Sequence, residues 1–97
     1  MNITELKQAI SECGKNVAVV TFTKKNGVER VMKCTLNFDL LDEHSAALNY
    51  TRPTQEANYD CEARDMVRVW DLENEGWRTI TAKTTTSVVD SGEPIVQ

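Results

Sequence analysis

The stretch Val17-Ala18-Val19-Val20-Thr21-Phe22-Thr23-Lys24-Lys25-Asn26-Gly27-Val28-Glu29-Arg30-Val31-Met32-Lys33-Cys34-Thr35-Leu36 decides the fold. β-branched and aromatic residues recur along both arms, and Asn26-Gly27 between them is a strong hairpin signal, because both central positions of a type I′ turn need positive φ. With that pair at the centre, Lys24 faces Glu29, Phe22 faces Val31, Val19 faces Cys34 and Val17 faces Leu36. One opposite-charge pair near the turn is then followed by apolar pairs. One face carries Val17, Val19, Thr21, Met32, Cys34 and Leu36; the other carries Ala18, Val20, Phe22 and Val31 with Lys24, Glu29 and Lys33. Both faces are partly apolar, which suits a hairpin covered by a barrel core on one side and by a helix on the other.

A second hairpin is expected over residues 66–89. Met66 to Leu72 reads as a strand, Glu73-Asn74-Glu75-Gly76 as a four-residue turn with Gly76 in its left-handed position, and Trp77 onward as the returning strand. Val67 and Val69 share one face of it; Arg68, Trp70 and Leu72 share the other. Thr79, Thr81 and Thr84 to Thr86 carry β-propensity on to Val88 and Val89. Ahead of both hairpins, Asn2 or Thr4 can cap a short helix whose apolar stripe is Ile3, Leu6, Ala9, Ile10 and Cys13, with Gly14 as its left-handed stop. About three turns are marginal alone, so the stripe must dock on the sheet. Between the hairpins, residues 37–65 lose periodicity: Phe38, Leu40 and Leu41 look anchored, Asp39 to Leu48 can hold a helical turn, and the polar run from Asn49 to Asp65 reads as a long loop. Asp90 to Gln97, with Gly92 and Pro94, reads as a loose tail.

The 97 residues make one domain, large enough for a single core and little more. A net charge of −4, from 15 acidic and 11 basic residues, lacks the basic surplus usual in nucleic-acid binders, so any phosphate contact has to be local. Lys24, Lys25, Arg30 and Lys33, all on the first hairpin, are the candidates; ordinary solvated strand positions are the alternative. Three cysteines, Cys13, Cys34 and Cys61, make an odd count without C-x-x-C spacing, which argues for free thiols in a reducing cytosol and against a disulfide framework. No apolar run approaches the ~20 residues a membrane helix needs.

Catalytic chemistry finds no constellation. The single histidine, His44, has no further His and no paired cysteine to complete a metal site, and there is neither a G-x-S-x-G elbow nor a glycine-rich phosphate loop. A non-enzymatic binding module is therefore expected, with no metal and no cofactor. Trp70 and Trp77 read either as core or as recognition residues beside Arg68 and Arg78, one buried and the other partly exposed.

The phrases Val20-Thr21-Phe22-Thr23-Lys24-Lys25-Asn26-Gly27, Arg30-Val31-Met32-Lys33-Cys34-Thr35-Leu36-Asn37 and Val69-Trp70-Asp71-Leu72-Glu73 followed by Gly76-Trp77-Arg78 resemble a family of phage SH3-like barrels. These are Sm-like small barrels related to the WYL domains of bacterial regulators, and the likeness covers Val17 to Leu41 and Val67 to Ile80. It implies a mainly β fold, a small SH3-like barrel of about five strands with a short N-terminal helix and a long polar loop. It also implies a phage product acting in the host cytoplasm. The family's sensing domains continue from the Trp-Arg strand into further basic residues, whereas here only Lys83 follows.

Three expectations about partners follow. The first is binding of a host bacterial protein, which it modulates or inhibits, through Tyr50, Arg52 and Tyr59 of the loop and the adjoining Trp77 and Arg78, since loops on a rigid scaffold carry recognition disproportionately. The second is an RNA- or DNA-binding surface of Lys24, Lys25, Arg30 and Lys33 with Trp70 or Trp77 stacking a base. The third is a small anionic ligand held by Arg68 and Arg78. Self-association through a free strand edge is open as well.

Overall fold

A computed structural model describes residues 1–48, 50 and 63–96. Helix α1 spans Ile3–Glu12 and starts on a complete capping box: the Asn2 side chain accepts from the Glu5 amide at 2.8 Å, and the Asn2 amide donates to the Glu5 carboxylate at 3.3 Å. Gly14, at φ +58°, ends it as expected. Strands β1 (Asn16–Thr23) and β2 (Glu29–Thr35) follow, then helices α2 (Phe38–Glu43) and α3 (Ser45–Leu48). The chain continues through β3 (Met66–Asp71), β4 (Gly76–Thr81), a single 3-10 turn at Ala82–Thr84, and β5 (Thr85–Pro94).

The five strands form one antiparallel sheet in the order β4-β3-β2-β1-β5, so the last strand returns to pair with the first. Irregularities in the β1–β5 register, between Asn16 and Ala18 and between Thr21 and Phe22, supply local twist where the sheet curls. The inner face buries Ala18, Val20, Cys34, Val67, Val69 and Ile80. Leu6 and Ile10 of α1, Cys13 at its C-cap and Ala82 of the 3-10 turn complete this core, so α1 finds the docking surface its length demands. A second cluster lies on the other face of β3–β4, where Leu41, Tyr50 and Trp70 are buried with Phe38, Leu48, Leu72 and Trp77 around them.

The first hairpin forms, but one residue out of the expected register. Thr23 faces Glu29, Phe22 faces Arg30, Thr21 faces Val31, Val20 faces Met32, Val19 faces Lys33 and Ala18 faces Cys34. Its connection explains the shift. The Gly27 amide donates to the Lys24 carbonyl at 2.9 Å and the Lys24 amide donates to the Val28 carbonyl at 2.9 Å. Lys25 and Asn26, both at negative φ, are the turn's central residues, and Gly27 at φ +84° is the left-handed residue after it. That is a type I turn with a bulge, in place of a type I′ turn centred on Asn26-Gly27. Because side chains alternate, the slip exchanges faces. Met32 and Cys34 join Ala18 and Val20 on the inner face, while Val31 goes outward with Val19 and Thr21 and is 61% exposed.

The second hairpin also differs in detail. Asp71 pairs with Gly76, so the turn is Leu72 to Glu75, and the left-handed residue is Glu75 at φ +50°, not Gly76. The hairpin stops at Thr81; the 3-10 turn, closed by Thr84 and Thr85 hydroxyls donating to the Thr81 carbonyl, redirects the chain to β1. The tail expected to be loose from Asp90 is strand as far as Pro94. Pro94 pairs with Asn16, the Ile95 amide donates to the Lys15 carbonyl at 2.8 Å, and the Asn16 side chain donates to Asp90.

Candidate functional site

Strand parity decides which charged groups meet. On β3–β4, Val69 faces Arg78 and Val67 faces Ile80, which puts Arg78 on the core face of the sheet beyond the last buried residue. On β1–β2 the corrected register puts Arg30 opposite Phe22 and Met32 opposite Val20, again on the core face. Only two residue pairs, Cys34 with Asp71 and Thr35 with Trp70, join β2 to β3, so the Arg30 half of β2 runs free of its neighbour. An open groove of about 370 Å³ lies in that gap, at the mouth of the curled sheet. Phe22 and Met32 form its apolar floor; Lys24, Arg30 and Arg78 line it with positive charge.

Two acids also border this groove, and they differ. Asp71 is buried, and its carboxylate accepts from the Glu73 amide at 3.0 Å, the Asn74 amide at 3.1 Å and the Asn74 side chain at 2.8 Å. It therefore holds the β3–β4 turn in shape beside Arg78. Glu73 is exposed on the rim. Three cations from three stretches of chain face an apolar floor, with one acid already committed to backbone amides. Such a set suits an anion carrying an apolar or aromatic body.

A second groove, of about 330 Å³, adjoins the first. It is lined by Phe22, Thr23, Lys24, Lys25, Thr79, Thr81 and Thr84, without any acid among them. Phe22, Lys24 and Thr79 border both grooves.

The residues singled out from sequence separate under this geometry. Lys24, Lys25 and Arg30 line the two grooves, whereas Lys33 faces Val19 on the outer face and stands apart from them. Trp70 is only 3% exposed, edge-on to Tyr50 at 5.1 Å and to Trp77 at 5.3 Å, and has no ring face left for a base. Trp77 is half-buried, so the split expected between the two tryptophans is present. Arg68 and Arg78 do not share a site. Arg68 faces Thr79 on the outer face and lies over the Trp77 ring at 5.3 Å, the reverse side of the sheet from Arg78. Tyr50 is buried in the aromatic cluster rather than displayed; Arg52 and Tyr59 lie outside the described residues.

Sequence reasoning passed over Phe22 and Met32 as floor and Thr79, Thr81 and Thr84 as lining. The signal for the first two was the alternation itself, which the one-residue register shift obscured. Among the described residues, no group of three or more His, Cys, Asp and Glu is placed to hold a metal ion, and no helix is long and apolar enough to cross a membrane.

Five antiparallel strands with the last returning to the first, an N-terminal helix over the core and a 3-10 turn before the final strand define a small SH3-like barrel protein. The chain belongs to the WYL_2 family, described as having an Sm-like SH3 beta-barrel fold, whose model matches residues 5–84. No curated protein and no solved structure matches the chain. The Sm-like SH3 barrel is typically a non-catalytic fold.

Proposed function

We propose that this protein is a non-catalytic binding module that takes a phosphate-bearing nucleotide ligand, free or within single-stranded nucleic acid, at the mouth of its barrel. The observation that carries this reading is the convergence of Lys24, Arg30 and Arg78 on one groove floored by Phe22 and Met32. Guanidinium groups suit phosphate oxygens because they donate through a planar fork, and an apolar floor suits the face of a base. A net charge of −4 is compatible with this, since a local group of cations can attract an anion whatever the overall balance. Fluorescence anisotropy with a labelled single-stranded oligonucleotide tests the reading. Affinity should fall steeply as salt rises, and Arg78→Ala should lower it about tenfold or more, in line with loss of a charge-assisted hydrogen bond. Absence of saturable binding at low salt, or equal binding by Arg78→Ala, refutes it.

Binding of a host bacterial protein keeps one specific observation in its favour. Val31 and Val89 are 61% and 56% exposed on the outer sheet face, and Val89 lies next to Val19 there. Under this second reading the protein acts in the cytoplasm of an infected bacterium, and the valine face is the contact. Capture of one partner from lysate, lost in a Val89→Asp variant that stays folded, would favour it over the nucleotide reading.

A further inference from the structure

We infer that Gly76 is a positioning residue: its missing side chain leaves the space in which the Arg78 guanidinium lies, latched to the outer edge of β4. The consequence for binding rests on the nucleotide reading of the mouth, whereas the latch rests on backbone geometry alone.

Strand register fixes which carbonyl can hold the latch. The Leu72 amide donates to the Lys33 carbonyl at 2.9 Å, one step beyond the Cys34–Asp71 pair. On β3 the peptide groups of Trp70 and Leu72 therefore point to β2, and those of Val69 and Asp71 point to β4, where they meet Arg78 and Gly76. Trp77, between those two partners, turns its amide and carbonyl away from β3. β4 ends the sheet, so among the described residues no strand covers that side. Arg78 closes it from its own chain: Nη1 donates to the Trp77 carbonyl at 2.9 Å. That bond ties the guanidinium to rigid backbone at the groove it lines, which lowers the ordering cost of using its other N–H groups on an anion.

Gly76 makes this placement possible. A Cβ there would stand 3.2 Å from Arg78 Nη1, and the next nearest atoms are at 3.9 Å. Nothing in the backbone asks for glycine, because the left-handed residue of this turn is Glu75 and Gly76 lies outside that region. Glycine in a strand costs stability relative to alanine and marks the close approach of another group. Here that group is the guanidinium of Arg78.

Gly76→Ala tests the assignment by two independent readouts. Without ligand, the Arg78 Nε–H peak in a nitrogen–proton correlation spectrum, assigned by its loss in Arg78→Ala, should move towards its position in urea. The urea midpoint should stay level or rise. With the labelled oligonucleotide at low salt, Gly76→Ala should weaken binding about fivefold, and should add nothing in the Arg78→Ala background, since both act through one guanidinium. An unmoved Arg78 peak, a lowered urea midpoint, or losses that add in the double variant overturn the role of Gly76. If the parent protein binds no oligonucleotide, the nucleotide reading falls, and the Arg78 peak and the midpoint alone decide for or against the latch.

Discussion

Cys34 shows how completely one side chain can be taken over by the core. It is 0% exposed, and its thiol pKa is pushed up to about 12, first by burial, then by the charges of Asp71 and Cys13. The folded protein thus favours the neutral thiol. That contribution to stability is intact below the ordinary cysteine value and is lost as pH rises from about 9 towards 12. Thermal melting should show a declining alkaline limb that is shallower in Cys34→Ala. Peptide mapping after iodoacetamide treatment at pH 8 should find Cys34 unmodified in the native protein and modified in urea. Asp71 is the other residue on which much rests, since it accepts three hydrogen bonds across the turn beside the groove. Asp71→Ala should cost about 2 kcal/mol in urea unfolding, because three part-buried donors lose a charged acceptor. Asp71→Asn, which keeps one carbonyl acceptor, should cost less.

At the scale of elements, the two hairpin turns use opposite residue choices for the same backbone need. Gly27 stands at φ +84° and Glu75 at φ +50°. A glycine carries no penalty there, whereas a residue with a Cβ carries roughly 1–2 kcal/mol. Glu75→Gly should therefore raise the urea midpoint and Gly27→Ala should lower it, each by about 1 kcal/mol in stability, and the opposite signs make the pair diagnostic. Existence and type of both hairpins were legible in the sequence, because alternation and turn residues are local properties. Their register was not. Asn26-Gly27 serves a type I′ turn or a type I turn with Gly27 after it, and only packing of Met32 and Cys34 against Ala18 and Val20 chooses between them.

For the whole molecule, burial and not hydrophobicity decides which apolar residue matters. Leu6 of α1 is 0% exposed inside the core, while Val31 in the middle of β2 is 61% exposed. Leu6→Ala should destabilise by about 3 kcal/mol, the cost of a cavity under the helix, whereas Val31→Thr should stay within about 0.5 kcal/mol of the parent in denaturant titrations. An equal loss from both would mean that the outer face is covered in solution. The amino-acid sequence by itself determined the mainly β class, the capped helix, the two hairpins and the absence of a motif for known chemistry, since each is written in neighbouring residues. Only the tertiary structure decided that Arg30 and Arg78 share a groove, that Arg68 faces the opposite way, and that β5 closes onto β1 through Pro94. The reason is geometric. A one-residue change of register costs little in local propensity yet turns every side chain to the other face, so which charges meet is settled by long-range packing alone.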